Sequence, residues 1–343
     1  MAKRQLGLSK AHKNKKAKKE ETPVEEPKDG GMVIELPKDI DPSNEIDSIK
    51  GLWETYKKDM NELVLNGIIH ECDRMLRNGE TVNDLFYSYY GLSIAELSKY
   101  QEEEKVFEEA LDRIDTGIEK FPESINLYFV KAKVTIMKYL NEGDFKDDVL
   151  SIYEKAEKHS EDTKNFDYFN DDNYEFLEIL NHYVGEEEEN AEEDEEDETL
   201  QKYKDWLLKH TEVFIKRCNE DMKKKVYKHL GNLYLQSSEE PSTIYTTLEY
   251  EDHPEPTING KDKDQAQKEA LDLLNKAVSY FRKSWDDEDV ETWVGVGEAL
   301  ISLGNVDNDN QEKWYQEAEE ILTKANNVTN GKYKDILNQL KED

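Results

Sequence analysis

The stretch Tyr227-Lys-His-Leu-Gly-Asn-Leu-Tyr234 decides the fold. Helical neighbours are three or four residues apart, so Tyr227, Gly231 and Tyr234 share one side of a helix. A glycine on the packed side of a helix leaves room for a second helix to cross closely. We therefore expect a helical hairpin whose second helix presents small and apolar residues. The matching residues on that second helix are Ala270, Leu274 and Ala277.

The same pattern recurs three more times. Tyr87-x-x-Tyr90-Gly91 opens one pair, Tyr128 and Ala132 open the next, and Trp293-x-x-Val296-Gly297 opens the last. Helix pairs with these aromatic, glycine and alanine positions are typical of tetratricopeptide repeats. The sequence thus predicts an all-α, divergent tetratricopeptide-like α-solenoid, and an unspecialised helical bundle is the competing interpretation. The expected repeat-packing residues are Gly91, Ala132, Tyr227, Gly231, Tyr234, Trp293 and Gly297.

Proline marks the expected limits of the helical domain. Four of the eight prolines precede residue 43, so residues 1–42 are expected to form a disordered, basic, proline-containing segment. Residues 43–343 then form the repeat domain. Pro241, Pro254 and Pro256 predict a long irregular loop at about residues 237–263.

A second interruption is predicted from charge. Residues 186–198 are acidic at every position except Asn190 and Ala191. Repulsion between like charges one turn apart destabilises a helix, so we expect a solvated insert. It serves either as a polyanionic contact for a basic partner or as a solubilising linker. Its candidate partner-binding residues are Glu186, Glu187, Glu188, Glu189, Glu192, Glu193, Asp194, Glu195, Glu196, Asp197 and Glu198.

The whole chain is strongly acidic. Its 343 residues include 80 Asp and Glu against 46 Lys and Arg, which gives a formal net charge of −34. Such a charge repels nucleic acid and anionic membranes and attracts basic partners, so we expect no direct nucleic-acid binding by the body and no membrane association. No apolar run approaches the ~20 residues of a membrane span. Cys72 and Cys218 are far apart and are expected to be reduced thiols of an intracellular protein.

Basic residues gather at the start of the chain. Eight of them precede the first acidic residue, Glu20. This cluster predicts a nuclear import signal, and hence a nuclear location and an importin partner. The alternative is a generic basic tail that touches ribosomal RNA. The residues assigned to the signal are Lys3, Arg4, Lys13, Lys15, Lys16, Lys18 and Lys19.

No motif in the chain supports an enzyme, and we expect neither a metal nor a cofactor. The seven histidines form neither His-x-Glu-x-x-His nor His-x-Asp, and phosphate-loop, dinucleotide and Gly-x-Ser-x-Gly patterns are absent. Lys228 and Asn232 stand where a helical repeat grips a terminal carboxylate. Glu298 occupies a comparable position in the next repeat and would repel that ligand. These three residues are therefore candidates for partner binding, but a standard carboxylate clamp is not expected.

Several long segments of the sequence resemble the fungal enhancer-of-translation-termination family. The similarity spans essentially the whole chain and weakens over residues 143–198 and 257–264. The segments that show this similarity are Met1-Ala-Lys-Arg-Gln-Leu-Gly-Leu-Ser-Lys10, Leu52-Trp53, Val64–Arg74, Phe121–Ser124, Leu233–Leu235, Glu240–Ser242 and Asp289–Asn305.

The resemblance implies an all-α tetratricopeptide-like fold, a nuclear location and a role in accurate translation termination. It also implies a relation to a fission-yeast negative regulator of a prolyl-hydroxylase-type dioxygenase. The implied partners are that 2-oxoglutarate dioxygenase and the basic small-subunit ribosomal protein that it hydroxylates near the decoding centre. Members of the family would act as adaptors for nuclear import of these partners and in hypoxic gene expression.

Residues and resemblance together suggest one mechanism. An acidic solenoid covers a basic ribosomal protein, in place of the RNA phosphates, while the N-terminal lysines engage an importin. The first alternative is an inhibitory regulatory subunit of the dioxygenase that carries no cargo. The second is a generic acidic chaperone for basic nuclear proteins.

Overall fold

The computed structural model describes residues 44–101, 105–190, 198–251 and 253–342. Within these ranges the chain forms fourteen α-helices and one two-stranded hairpin. The helices are α1 Glu45–Asp59, α2 Glu62–Asn78, α3 Asp84–Glu96, α4 Val106–Lys120, α5 Ile125–Glu142, α6 Asp148–Thr163, α7 Asp171–Asn190, α8 Glu198–Arg217, α9 Glu220–Ser237, α10 Glu239–Tyr250, α11 Lys263–Lys283, α12 Val290–Val306, α13 Gln311–Val328 and α14 Lys334–Glu342. The strands are β1 Thr257–Ile258 and β2 Lys261–Asp262. The expected N-terminal segment and its import signal lie outside the described residues.

Local side-chain signals set many of the helix ends. The side chain of Asn61 accepts a hydrogen bond from the backbone N–H of Leu63 at 3.0 Å, which satisfies one free donor at the start of α2. At the start of α11, Asp262 and Gln265 form a reciprocal capping box. Gly79 ends α2 in the left-handed conformation, with a φ of 67°, and glycine adopts this conformation without a steric penalty.

The helices pack mainly in pairs along the chain. Helix α3 packs on α4, α5 on α6, α9 on α11 and α12 on α13. These are the four hairpins that the sequence predicts. Each pair also contacts a neighbouring pair, as when α5 packs on α3 and α11 on α12. The predicted all-α helical-repeat fold is therefore confirmed.

The hydrophobic core has two parts that meet at α5. Leu127 and Val134 on this helix join the first cluster, which is built with buried residues of α1 to α4. Phe129 and Ile136 belong to the second cluster, which continues from α6 to α13. Helix α5 therefore contributes buried residues to both clusters, which we call the N-terminal and the C-terminal hydrophobic cluster.

The predicted loop at residues 237–263 is wrong over most of its length. Helix α10 occupies Glu239–Tyr250 and packs against α11 and α12. Pro241 lies in the first turn of this helix, where its missing N–H would have no helical partner. The rest of the predicted loop contains the short hairpin of β1 and β2. Its turn residues, Asn259 and Gly260, have φ values of 51° and 73°. Positive φ at both turn residues matches the right-handed twist of a two-residue hairpin.

The predicted solvated insert at residues 186–198 is also shorter than expected. Helix α7 continues through the first four glutamates to Asn190, and α8 already begins at Glu198. The repulsion between glutamates one turn apart is worth only about 0.2–0.5 kcal/mol per pair. Burial of Leu180 and Val184 on the same helix opposes it. Residues 191–197 lie outside the described residues.

Candidate protein-interaction surface

The glycines of the repeat pattern lie where two helices touch. A Cβ atom on Gly231 would lie 2.6 Å from Cδ1 of Phe281 on α11, and one on Gly297 would lie 2.7 Å from Cγ of Leu322 on α13. At Gly91 the corresponding distance to Cγ1 of Ile114 is 2.4 Å. Because no real Cβ approaches other atoms this closely, the glycines set the spacing between the helices of each pair.

The aromatic and alanine positions of the pattern are packed in the same interfaces. Ala132 is fully buried, Tyr234 and Trp293 are nearly so, and Tyr227 is partly buried. The Trp293 indole N–H donates to the backbone oxygen of Asp286 at 2.8 Å, so its polar atom is satisfied. These residues form the scaffold and leave other side chains to contact a partner.

One packing residue is missing from the sequence prediction. The ring of Phe281 also faces Gly295, where a Cβ would lie 2.6 Å from its Cε1 atom. Phe281 therefore occupies the space left by two glycines, Gly231 on α9 and Gly295 on α12. Its position four residues after Ala277, on the face that carries the repeat alanines, is the signal that could have identified it.

Buried polar side chains connect the three helices α3, α5 and α7. Asn173 on α7 donates from Nδ2 to Oδ1 of Asn126 on α5 at 3.1 Å. Asn126 in turn donates from Nδ2 to the Ser88 hydroxyl on α3 at 2.8 Å. Buried groups of this kind are costly unless paired, so the chain of bonds favours a single register between these helices. The sequence prediction missed it because the partners are 38 and 47 residues apart.

Lysines on α5 and α9 are paired with carboxylates of α7. Lys133 on α5, which is almost completely buried, forms an ion pair with Glu175 on α7. Lys225 on α9 lies 2.8 Å from Asp171 and 2.9 Å from Glu178, both on α7. Positive charge on this side of the solenoid is therefore largely compensated within the chain.

Lys228, one of the predicted clamp residues, is held by two carboxylates at the start of α12. Its Nζ lies 2.9 Å from Asp289 Oδ2 and 2.8 Å from Glu291 Oε2. Burial lowers the pKa of Lys228, but its hydrogen bonds to Glu291 and Asp289 raise the pKa above its usual value. Asn232 is exposed, while Glu298 is half-buried and burial raises the pKa of its carboxyl group. The three predicted residues therefore do not offer a free cation to a terminal carboxylate.

The described part of the acidic run combines paired and exposed glutamates. Glu186 lies 3.2 Å from Nε2 of His182, and Glu188 pairs with Lys204 on α8. Glu187 and Glu189 are exposed at the end of α7. Of the other predicted residues, Glu198 begins α8. The remainder, Glu192, Glu193, Asp194, Glu195, Glu196 and Asp197, lie outside the described residues.

His229 and His210 each lie close to a polar side chain of another helix. His229 Nδ1 lies 2.5 Å from the Tyr174 hydroxyl, and burial, together with the charge of Lys225, lowers the pKa of His229 to about 4. His210 Nδ1 lies 2.7 Å from Oε2 of Glu157. Across the described ranges, no three His, Cys, Asp or Glu side chains come together in a group that could hold a metal ion. None of the helices described there has the length and apolar character needed to cross a membrane.

Comparison with known proteins relates the whole chain to one family. A family model described as nuclear pore complex subunit Nro1 matches residues 1–215 and 198–341. The protein named enhancer of translation termination 1 from Meyerozyma guilliermondii is 36% identical over 411 residues, covering 99% of this chain and 98% of that protein. Its namesake from Candida tropicalis is 37% identical over 436 residues and covers 100% of both chains.

Solved structures show the same fold. The nuclear import adaptor Nro1 of S. pombe aligns with a TM-score of 0.59 and 18% identity, covering 84% of this chain and 95% of that one. A second structure, described as the hypoxic regulator of sterol synthesis Nro1, a nuclear import adaptor, also aligns with a TM-score of 0.59 and covers 82% of this chain. The expected resemblance is confirmed. The chain belongs to the Nro1 family, whose curated relatives are named enhancer of translation termination 1.

Proposed function

We propose that this chain is a non-catalytic nuclear import adaptor that supports accurate translation termination. Two observations support this role. The relatives that match over nearly their whole length are named enhancer of translation termination 1, and a nuclear import adaptor has the same fold. Its proposed partners are a prolyl-hydroxylase-type dioxygenase, the basic small-subunit ribosomal protein that the dioxygenase modifies, and an importin. The proposed location is the nucleus, reached through Lys13, Lys15, Lys16, Lys18 and Lys19 with Lys3 and Arg4 as an upstream arm.

Charge is the observation that carries the proposal. A net charge of −34 on a solenoid gives a long surface of carboxylates. Lysines that would oppose it, such as Lys133, Lys225 and Lys228, are paired within the chain. A ribosomal protein free of RNA carries a dense positive charge, and carboxylates can replace the missing phosphates. Complementary charge also steers the encounter and raises the association rate.

The dependence of binding on salt tests the electrostatic part. The full chain and the purified ribosomal protein are mixed, and the dissociation constant is measured by fluorescence anisotropy from about 0.1 M to about 1 M salt. Over this range the Debye length falls from about 10 Å to about 3 Å, so affinity should fall steeply. A dissociation constant that stays unchanged would overturn the role of the acidic surface.

The presence or absence of the dioxygenase tests cargo binding itself. The adaptor should retain the ribosomal protein in a pull-down when no dioxygenase is added. If the ribosomal protein is retained only when the dioxygenase is present, the chain is a regulatory subunit of that enzyme and does not carry cargo. A basic protein of similar charge but unrelated fold is the control for a generic acidic chaperone.

A further inference from the structure

The second helices α11 and α13 border a cleft whose chemistry differs from that of the acidic surface. It has a volume of about 330 Å³, which lies at the lower end of the range for binding sites of small ligands and short peptide segments. Val278, Leu303 and Trp314 form its apolar wall. Ser279, Arg282 and Lys283 supply its polar and cationic side. We call these six residues the α11–α13 cleft.

The apolar wall of the cleft is held in place by packing and by a hydrogen bond. Leu303 is fully buried and Val278 is 5% exposed, so both are anchored in the C-terminal hydrophobic cluster. The indole N–H of Trp314 donates to Asp307 Oδ2 at 2.9 Å, which fixes the ring. The Nζ of Lys313 lies over that ring, 4.1 Å from its centre. A side chain entering the cleft would meet a preformed surface, so little ordering energy would be lost on binding.

The two cations of the cleft differ in how they are paired. Lys283 Nζ lies 4.8 Å from the ring centre of Tyr280 and 5.5 Å from that of Tyr227. Among the described residues it has no ion pair with a carboxylate. Arg282 pairs with Glu317 through one terminal nitrogen. Among the described residues that line the cleft, Arg282 and Lys283 are the charged ones, and neither Asp nor Glu is present. Lys228, in contrast, is held by two carboxylates.

We propose that the α11–α13 cleft binds a short acidic segment of a partner protein. An aliphatic or aromatic side chain of that segment would pack against Val278, Leu303 and Trp314. A neighbouring carboxylate would be bound by Arg282 and Lys283, with the exposed Ser279 hydroxyl as a further donor. Local charge favours this occupant, because the described residues that line the cleft include two cations, Arg282 and Lys283, and no carboxylate.

This site goes beyond the proposed function, in which the cargo is basic and binds carboxylates. An acidic segment is repelled by most of a surface with a net charge of −34. The cleft therefore provides selectivity for a second class of partner, since most of the remaining surface of the acidic repeat domain disfavours an acidic ligand. Two partners of opposite charge could then be held on one chain without competing for the same residues.

The test follows Trp314 in the full chain. Tryptophan is labelled with fluorine, the Trp314 resonance is assigned with Trp314→Phe, and the probe peptide Asp-Glu-Leu-Phe-Glu-Asp amide is titrated. We expect a saturable shift of that resonance. The matched peptide in which lysine replaces every acidic residue should cause none. No shift with the acidic peptide, or an equal shift with the basic one, would overturn the proposal.

Variants separate the cleft from the rest of the surface. Replacing both cations, Arg282→Gln with Lys283→Gln, should weaken binding of the acidic peptide by about tenfold, the loss expected for a charge-assisted contact. Ser279→Tyr fills the cleft from an exposed position and should abolish the shift even if the first variant fails to fold. Lys209→Gln with Lys216→Gln removes two exposed lysines on α8 and is the matched control. If this control weakens binding as much as the cleft variants do, the peptide is held by general charge and the proposal is wrong.

Discussion

Lys57 on α1 donates a hydrogen bond to Asp172 on α7 at 2.5 Å, although 115 residues separate the two in the chain. Helix α1 belongs to the N-terminal hydrophobic cluster and α7 to the C-terminal one. The bond therefore links a helix of the first cluster to a helix of the second, in addition to the connection through α5. Burial lowers the pKa of Lys57, but the charge of Asp172 and the hydrogen bond to it raise the pKa above its usual value.

A double-mutant cycle measures this connection. Lys57→Met, Asp172→Asn and the double variant are unfolded with urea, and we expect a coupling free energy of about 0.5–1 kcal/mol, because both side chains are partly exposed. The raised pKa means that the coupling is fully present below the unfolded pKa of lysine, about 10.4, and is lost as the pH rises through the folded value. The exposed pair Lys50 and Glu54 within α1 is the control. A coupling no larger than that of the control would show that the bridge contributes nothing.

Adding a methyl group at Gly231 should destabilise the fold. In Gly231→Ala the new Cβ overlaps the ring of Phe281, so we expect a loss of about 1–3 kcal/mol in the free energy of unfolding. Gly67→Ala is the matched control. Gly67 lies inside α2, and a Cβ at this position would have no neighbouring atom within 4 Å, so the variant should gain about 0.5–1 kcal/mol from helix propensity. Equal effects of the two substitutions on thermal unfolding would contradict the close approach at Gly231.

Repeat packing could be predicted from sequence because its signal is local. Gly231 and Tyr234 lie one turn apart, so their shared face follows from helical periodicity alone. The second helix then follows from Ala270 and Ala277, which are seven residues apart and again share a face. Packing partners such as Phe281 and Leu322 occupy the space that these glycines leave. Local spacing therefore sufficed for the pairs and for the fold class.

Candidate contact residues could not be predicted in the same way. Lys228 fits a clamp position by spacing, but its partners, Asp289 and Glu291, are 61 and 63 residues further along the chain. The irregular loop predicted from Pro241 was wrong there, because a helix tolerates proline in its first turn. Long-range pairing decides which charges are free, and a single sequence carries no direct signal for it.

Acidification should destabilise the fold through His229. Its pKa is lowered to about 4, so the neutral side chain stabilises the fold above about pH 6.5, and this contribution is lost as the pH falls from about 6.5 to about 4. The expected loss is on the order of 2–3 kcal/mol, since a shift of one unit is worth about 1.4 kcal/mol and the residue is partly exposed. Urea unfolding between these two pH values measures it.

Replacement of the histidines isolates this effect from the many carboxylates. His229→Asn keeps an acceptor for the Tyr174 hydroxyl near the position of Nδ1 but does not titrate, so its stability should fall less steeply than that of the wild type over the same pH range. His182→Asn is the control, because the His182 side chain is 75% exposed. Parallel pH profiles for wild type and His229→Asn would refute the assignment.

Removal of the N-terminal lysines should prevent nuclear accumulation. The variant combines Lys15→Ala, Lys16→Ala, Lys18→Ala and Lys19→Ala, so the basic run loses four of its charges. An importin recognises such a run through those charges. A fluorescent fusion of this variant should stay in the cytoplasm. Replacement of the same four lysines by arginine keeps the charge and should preserve nuclear signal, whereas Lys332→Ala with Lys334→Ala removes exposed lysines near α14 and should have no effect. If the alanine variant accumulates in the nucleus as the wild type does, the import signal lies elsewhere, and the proposed adaptor would have to enter with a partner that carries its own signal.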